Sequence, residues 1–384
     1  MRVPVKKIPC TIMRAGTSKG VFLYEKDLPQ DPKERELTIL KIFGSPDARQ
    51  IDGLGGADAL TSKVAIIAPS TGPDHDVRYT YAQVAIDQPR IHTKGICGNI
   101  SSGVGPFAID EGLVEATEPF TKVRVFNTNT NKVFVETVPV KDGKAEVYGD
   151  YTIDGVPGTG AEVELDFSAT AGAITGKLLP TGNVIDLVEV PGFGKIEMSI
   201  VDCGTTVVFI RAKDVGMTGT ETPYQVDSDK QLLEKLEMIR GTAASMLGFC
   251  GKPEEARLVT ANSPHMAILS PATDYLSYLN NDKVERNQID FVSRLMFMQK
   301  MHKTYPGTGS FSTAIASLLE GTIANEMYRL SEREKDGAVA IGHPAGILKV
   351  GADLEKTEDG FVVKKCSISR TARRIMDGYV YIRL

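Results

Sequence analysis

The feature that most constrains the fold is a long succession of short strand-like runs separated by glycine- and proline-containing turns. The 384-residue chain contains 37 glycines and 20 prolines, and these residue types mark turns between regular elements. The runs 122–126 and 132–136, on either side of an Asn/Thr turn, predict a β-hairpin. Further strand-like runs follow at 144–147, 161–165, 187–190, 195–201 and 205–210. This pattern predicts a strand-rich molecule with few helices.

Three segments carry apolar residues at helical spacing. The clearest is 229–247, which is followed by Gly248, a residue type that commonly ends a helix. The same spacing predicts a helix over 286–301 and another that begins near Gly309. We expect each apolar stripe to face a hydrophobic core.

A fourth helix start, in the stretch 95–103, carries a cysteine. Ile100 and Val104 fit one face of the expected helix, and Pro106 is expected to kink it. Cys97 stands at the N-terminal end, where free backbone N–H groups and the helix dipole lower the pKa of a thiol. The stretch therefore predicts a thiolate base or nucleophile beside an anion-binding helix start. The alternative is a small buried side chain without chemistry.

The two halves of the chain share a coarse pattern. Each combines many strand-like runs with one helix whose start is rich in small polar residues, at 97–99 in the first half and at 305–313 in the second. Two such starts facing one cleft would hold a dianion between two positive dipole ends. We expect an α+β fold of two pseudo-symmetric domains, 1–185 and 186–384, each wrapping a central helix, with the active-site cleft between them.

The composition restricts partners and location. A formal net charge of −5 leaves no basic footprint for nucleic acid, and no apolar run approaches the ~20 residues of a membrane span. The N-terminal segment lacks the apolar core of a signal peptide. The five cysteines are dispersed, which suits a reducing cytoplasm, and neither they nor the histidines show zinc-site spacing. We expect a cytoplasmic protein that binds no metal, nucleic acid or membrane. Its oligomeric state stays open, with a homo-oligomer as one option.

Six motifs, taken together in this order, resemble the PrpF-type isomerases, which have a diaminopimelate epimerase-like fold. The motifs are MRAGTSKG (13–20), DGLGGAD (52–58), TSKVA (61–65), GICGN (95–99), GHPAG (342–346) and SRTARRIMDG (369–378). They extend over nearly the whole chain. The resemblance implies movement of a C=C double bond in a small di- or tricarboxylate without a cofactor. It also implies that a final strand, 379–384, returns to the first domain.

The resemblance further implies which groups react. Epimerases of this fold use two cysteines, one at each central helix start. Cys97 keeps the first position, whereas the second falls near 306–309, where no thiol occurs. The family resemblance points instead to Lys63 as the other acid/base group. Lysine and cysteine have ordinary pKa values of about 10.4 and about 8.5, and the sequence leaves open which of the two removes the first proton.

A 1,3-proton shift also needs donors that hold the substrate and stabilise its developing negative charge. The expected substrate-binding residues are Arg14, Thr17, Ser18, Lys19, Gly98, Asn99, Thr308, Gly309 and Ser310. Arg14 would clamp one carboxylate, Lys19 would add a charge, and backbone N–H groups at both helix starts would be oxyanion donors. Turn, N-cap and surface ion-pair roles are the alternatives. His265 and His343, each beside a proline, are expected only to satisfy turns.

Several activities fit these expectations. Within the family, the chain looks most similar to members that convert 2-methylene-3-methylsuccinate (3-methylitaconate) into dimethylmaleate. Isomerisation of aconitate and tautomerisation of 4-oxalomesaconate are alternatives, because the pocket rather than the motifs distinguishes these substrates. A non-catalytic dicarboxylate-binding protein is an alternative of a different class. An epimerase-type or phenazine-type activity is disfavoured by the missing second thiol.

Overall fold

The computed structural model describes residues 5–93, 95–358 and 360–383. The chain divides into two compact units, the first formed by Met1–Leu165 with Ser369–Leu384 and the second by Asp166–Ile368. The expected boundary at 185/186 falls inside the second unit. The C-terminal strand belongs to the first unit, and it is longer than the expected 379–384 segment.

The regular elements are mostly strands. The strands are β1 (Val5–Ala15), β2 (Ser18–Tyr24), β3 (Lys63–Pro69), β4 (Val77–Val84), β5 (Ile91–His92), β6 (Phe120–Asn127), β7 (Lys132–Lys141), β8 (Lys144–Ala145), β9 (Val163–Asp166), β10 (Asp186–Val190), β11 (Gly194–Cys203), β12 (Thr205–Arg211), β13 (His265–Pro271), β14 (Tyr275–Leu276), β15 (Lys283–Val284), β16 (Phe291–Phe297), β17 (Lys300–Met301), β18 (Ala338–His343), β19 (Gly346–Thr357), β20 (Gly360–Arg370) and β21 (Ala372–Arg383).

Helices are fewer and mostly short. The α-helices are α1 (Pro32–Phe43), α2 (Gly98–Ser101), α3 (Val104–Asp110), α4 (Pro223–Ser228), α5 (Lys230–Met246), α6 (Ala256–Val259), α7 (Gly307–Leu318) and α8 (Ile323–Arg329), and short 3-10 turns span Glu25–Asp27, Ser168–Thr170, Ala212–Val215, Pro253–Glu255 and Arg286–Gln288. No helix in the described part of the chain is long and apolar enough to cross a membrane.

The sheet of the first unit has the strand order β21-β1-β2-β3-β4-β6-β7, with β5 beside β4 and β8 beside β7. From β1 to β7 the neighbours alternate between antiparallel and parallel pairing, beginning and ending antiparallel. The β6–β7 pair is the hairpin that the sequence predicts, with Asn127 opposite Lys132. The β1–β21 pair brings the two ends of the chain together in this unit.

The sheet of the second unit repeats this plan. Its strand order is β10-β11-β12-β13-β16-β18-β19-β20, with β17 beside β16. From β11 to β19 the pairs follow the same alternation of antiparallel and parallel neighbours as β1 to β7. A long helix also enters the chain at corresponding points, α1 between β2 and β3, and α5 between β12 and β13. The predicted pseudo-symmetry is confirmed at the level of topology.

Each unit has a buried central helix, as the sequence predicts. In the second unit it is α7, whose residues from Gly307 to Ser317 are all buried. In the first unit the helix is broken into α2 and α3 at Ser102 and Gly103. A Cβ at Gly103 would lie 2.8 Å from Phe22, so the helix can pass this strand only with a glycine there. Pro106 lies in the first turn of α3, where its missing N–H costs nothing.

Amphipathic helices complete the cores. The apolar face of α5 packs with Ile200, Ile210 and Ile268 of the second unit, which confirms the helix predicted over 229–247. In the first unit α1 packs its apolar face with Val64 and other strand residues. Burial of apolar surface contributes roughly 25 cal/mol per Å², so these faces hold the helices against their sheets.

The helix predicted over 286–301 is wrong. This segment forms a 3-10 turn followed by strands β16 and β17. Residues 291–296 are all buried, because β16 is a central strand between β13 and β18. When both faces of a strand are covered, apolar residues do not alternate with polar residues along it. Its apolar residues then fit helical spacing as well as strand spacing.

Candidate active site

Lys63 begins β3, and its neighbours are fixed by strand register. Lys63 stands directly opposite Gln83 of β4, and Tyr81 lies two residues before Gln83, on the same face of the sheet. The ammonium Nζ of Lys63 donates to Oε1 of Gln83 at 2.6 Å and to the hydroxyl of Tyr81 at 3.2 Å. The hydroxyl of Tyr81 also donates to Oε1 of Gln83 at 2.8 Å. Pairing of β3 with β4 thus creates a polar cluster inside the sheet.

This lysine is buried, with only 3% of its surface exposed. Burial lowers the pKa of Lys63 because the charged ammonium loses its hydration, while the negative charges of Cys97 and Asp58 act in the opposite direction. The groups that accept hydrogen bonds from its Nζ, Gln83 and Tyr81, are neutral and do not fully replace the lost hydration. The burial therefore shifts the proton equilibrium of Lys63 toward the neutral amine, the form that can accept a proton.

Cys97 joins the same cluster from the helix side. It is the N-cap residue of α2, and its carbonyl accepts from the N–H of Ser101 at 2.8 Å. The thiol, which is partly exposed, interacts with the hydroxyl of Tyr81; burial together with this neighbour raises the pKa of Tyr81 well above its usual value. Tyr81 is therefore a protonated hydroxyl that accepts a hydrogen bond from Lys63 and lies within electrostatic reach of Cys97.

Asn99, in the first turn of α2, organises a second polar group. Its side-chain Nδ2 donates to the hydroxyl of Thr17 at 3.0 Å, and its Oδ1 accepts from the backbone N–H of Thr17 and from Nε of Arg370. Gly16 lies against this amide, since a Cβ there would stand 2.2 Å from Oδ1 of Asn99. The turn between β1 and β2 therefore fits the helix start closely.

The remaining predicted residues of the first unit surround this turn. Ser18 is buried, and its hydroxyl has no hydrogen-bond partner among the described residues. Lys19 stands opposite Arg14 in the β1–β2 pair and is partly exposed. The guanidinium of Arg14 donates to the carbonyls of Thr371 and Gly16, and burial lowers its pKa. Gly98 is buried at the start of α2. A role of these residues in substrate binding stays a prediction.

In the second unit, Thr308, Gly309 and Ser310 form the first turn of α7, and all three are buried. One part of the prediction needs correction. The N–H of Ser310 donates to the carbonyl of Pro306 at 2.9 Å, and its hydroxyl donates to the carbonyl of Gly307 at 2.6 Å. Ser310 is therefore committed to the helix, and its N–H is not available as an oxyanion donor.

The topology also relates Lys63 to a residue that sequence reasoning set aside. His265 begins β13 as Lys63 begins β3, and each strand pairs in parallel with the strand before the long helix. His265 is buried, and a Cβ at Gly309 would lie 3.3 Å from its Nδ1. His265 therefore contacts the start of α7, a relationship that only the strand order reveals.

The sequence analysis also did not identify three further residues as part of the candidate site, namely Tyr81, Gln83 and Arg370. A tyrosine and a glutamine on a strand carry no signal of their own, and only the register of β3 with β4 places them around Lys63. Arg370 lies in a motif that the resemblance singles out, but its burial and its contact with Asn99 require the fold. Within the described ranges, no group of three or more His, Cys, Asp or Glu side chains is arranged to hold a metal ion.

The solved structures define the class of fold. A hydroxyproline epimerase from Agrobacterium vitis has a similar fold, with a TM-score of 0.58 at 12% identity over 98% of this chain and 93% of that chain. A solved methylitaconate-delta-isomerase is much more similar, with a TM-score of 0.80 at 51% identity over 99% of this chain and 96% of that chain. The fold is thus that of the racemases and epimerases with two pseudo-symmetric halves.

Sequence comparison gives the family. The model of the PrpF protein family matches residues 5–383, so the chain belongs to the PrpF family. It is 51% identical over 376 residues to a 3-methylitaconate isomerase from Eubacterium barkeri, covering 98% of this chain and 97% of the relative. It is also 40% identical to a 4-oxalomesaconate tautomerase from Pseudomonas putida (98% and 96% covered) and 37% identical to a 2-methyl-aconitate isomerase from Cupriavidus necator (99% and 98% covered).

Proposed function

We propose that this protein is an isomerase that moves a C=C double bond in a small dicarboxylate, converting 3-methylitaconate into dimethylmaleate. The observation that carries the proposal is the hydrogen bond from buried Lys63 to the hydroxyl of Tyr81, a hydroxyl that also lies within electrostatic reach of Cys97. A 1,3-proton shift needs one group that accepts a proton and one that gives a proton, and Lys63 and Cys97 supply both. The 51% identity to a 3-methylitaconate isomerase supports this substrate.

The proposed reaction balances without an oxidant, reductant or cofactor. A base takes the proton from C3, next to one carboxylate, and the electron pair of the broken C–H bond forms a carbanion delocalised over that carboxylate and the adjacent double bond. An acid then protonates the terminal methylene carbon, which becomes a methyl group. The double bond moves to the position between C2 and C3. The enzyme gains one proton and loses one proton in each turnover.

The geometry explains how the two groups can be reset. After one turnover the base carries the extra proton and the acid lacks one. The hydroxyl of Tyr81 is hydrogen-bonded to Lys63 and lies within electrostatic reach of Cys97, so we propose it as the path for returning the proton. The lowered pKa of Lys63 suits either role, because an amine with a pKa nearer neutrality both accepts and releases a proton more readily.

In this proposal the substrate carboxylates bind at residues near the two helix starts. Thr17, Ser18 and Lys19 at the β1–β2 turn and the N–H groups of Gly98 and Asn99 are the proposed partners in the first unit. Thr308 and Gly309 are the proposed partners in the second unit. A reducing cytoplasm would keep the thiol of Cys97 unoxidised.

The substrate can be tested directly. We would measure kcat/KM for 3-methylitaconate, aconitate and 4-oxalomesaconate with the same reduced preparation. The proposal predicts the highest kcat/KM for 3-methylitaconate. Faster turnover of aconitate or 4-oxalomesaconate would assign the protein to the activity of its other relatives. Tight binding of all three without turnover would instead indicate a dicarboxylate-binding protein.

A further inference from the structure

Arg370, the last residue of β20, carries a deeply buried guanidinium. Only 3% of its surface is exposed. Its Nε donates to Oδ1 of Asn99 at 3.0 Å, and its Nη1 donates to the carbonyl of Ser369 at 2.9 Å. Its Nη2 donates to no residue in the described ranges. The guanidinium thus lies beside the first turn of α2, and the N–H groups of its Nη2 have no acceptor among the described residues.

This arginine lacks a carboxylate partner in the part of the chain that the structure describes. The groups whose charge acts on it are Tyr151 and Cys97, and burial lowers its pKa to about 10, so it stays cationic at neutral pH. A buried charge without a counter-charge costs several kcal/mol. Such a cost is offset when a ligand brings the missing negative charge.

Other buried arginines in this protein are compensated. Arg240 forms an ion pair with Glu237 at 2.5 Å, and Arg333 forms one with Asp290 at 2.9 Å. Arg294 lies 4.9 Å from the ring centroid of Tyr275 and within the field of Glu221. Arg370 differs from Arg240 and Arg333 because its nearest polar partners are a neutral amide and a backbone carbonyl.

We propose that Arg370 binds one carboxylate of the substrate and thereby makes the site specific for dicarboxylates. A guanidinium presents parallel N–H groups that match a carboxylate. Asn99 holds Nε and the carbonyl of Ser369 holds Nη1, so Nη2 is left to donate to the ligand. Cys97, which lies within the electrostatic reach of Arg370, would then face a carbon close to that carboxylate. This inference rests on the proposed function, because it uses the same substrate.

The test is binding of 2,3-dimethylsuccinate, a saturated dicarboxylate without a double bond to move, and of its monoamide. Calorimetry would compare the wild type, Arg370→Gln and Arg370→Lys. Because hydrogen bonds between charged groups contribute about 1.5–3 kcal/mol, we expect Arg370→Gln to weaken dicarboxylate binding roughly 10- to 100-fold. We also expect the preference for the dicarboxylate over the monoamide to collapse. Arg370→Lys keeps the positive charge but loses the planar set of N–H donors. It should therefore bind the dicarboxylate more tightly than Arg370→Gln but less tightly than the wild type.

The matched control is Arg383→Gln, because Arg383 is an arginine of the neighbouring strand β21 with 80% of its side chain exposed. It should bind both ligands as the wild type does. Equal weakening of both ligands in Arg370→Gln and Arg370→Lys would mean a structural role and would overturn the inference. A wild type that does not prefer the dicarboxylate would overturn it too. Arg370-dependent binding without turnover of 3-methylitaconate would reject the proposed function and keep this inference.

Discussion

Lys63 and Gln83 face each other directly across β3 and β4, and Nζ of Lys63 donates to Oε1 of Gln83 at 2.6 Å. The pair places a buried ammonium against a neutral amide instead of a carboxylate. Burial then lowers the pKa of Lys63, since nothing in the pair fully replaces the lost hydration. Register between two strands thereby creates the buried environment that lowers the pKa of this lysine.

Replacement of Lys63 by alanine tests its chemical role. We expect Lys63→Ala to lower kcat by at least ~100-fold, the usual contribution of a general acid or base, with a smaller change in KM. The control is Lys122→Ala, which removes an exposed lysine from strand β6 of the same unit. Steady-state kinetics with 3-methylitaconate would show the difference, and a Lys63→Ala enzyme with normal turnover would make Lys63 a bystander.

The thiol of Cys97 can be tested by Cys97→Ser. Serine keeps the size of the side chain but is a much weaker acid, so we expect a loss in kcat of at least ~100-fold with little change in thermal stability. Cys250→Ser is the control, because Cys250 is also a partly exposed cysteine outside any disulfide. If Cys97→Ser retained full turnover while folded, the thiol would have only a structural role.

Gly16 tests the fit between the β1–β2 turn and Asn99. Gly16 has a φ of +53°, and a Cβ there would stand 2.2 Å from Oδ1 of Asn99. We expect Gly16→Ala to displace Asn99 from Arg370 and Thr17 and to lower both stability and kcat/KM. Gly112→Ala is a matched control, because Gly112 has a φ of +70° but nothing within 4 Å of a Cβ.

The control separates backbone strain from the clash. Gly112→Ala should cost only about 1 kcal/mol, the strain of a left-handed alanine, and should keep full activity. Thermal unfolding and kinetics would be measured on both variants. Equal losses of stability and unchanged kcat/KM in both would show that the contact between Gly16 and Asn99 has no part in the site.

Glu136 provides a test of stability against pH. It is fully buried on β7, Oε1 accepts from the N–H of Gly105 at 3.0 Å, and Oε2 has no partner among the described residues. Burial raises its pKa well above the usual 4.5. Above pH 4.5 the folded protein therefore holds a proton that the unfolded chain has lost, and the free energy of unfolding falls as the pH rises through this window.

Glu136→Gln replaces the protonated carboxyl with a neutral group of the same shape. We expect the variant to gain stability relative to the wild type, with a gain that grows as the pH rises from 5 toward the raised pKa of Glu136. Urea unfolding across this range would measure it. Glu164→Gln, at an exposed position on β9, is the control. A difference between Glu136→Gln and wild type that does not change with pH would contradict the raised pKa.

Much of the fold could be predicted from the sequence where patterns are local. The hairpin at 120–141 has a turn between alternating strands, and α5 has one apolar face, so both were found. The helix prediction for 286–301 was wrong because β16 is buried on both faces, so its sequence does not alternate between apolar and polar residues. The break between α2 and α3 at Ser102 and Gly103 was not predicted either, because the sequence analysis expected only a kink at Pro106.

The candidate site was predictable only in part. Cys97 stands out locally, since a thiol between glycines at a helix start has a recognisable chemistry, and Lys63 came from resemblance to a family. Tyr81 and Gln83 depend on the register of β3 and β4, which no local pattern fixes. Arg370 is far from Asn99 in sequence, and its lack of a carboxylate partner in the described ranges is a property of the folded chain.

The most direct test of the central claim is proton NMR of 3-methylitaconate incubated with the wild-type protein in D₂O. The account predicts that the vinylic signals disappear while methyl signals on an alkene grow, with deuterium from the solvent entering the new methyl group. It also predicts that Lys63→Ala and Cys97→Ser slow this change by at least ~100-fold. Vinylic signals that persist with folded, reduced wild-type protein, or variants that react at the wild-type rate, would contradict it.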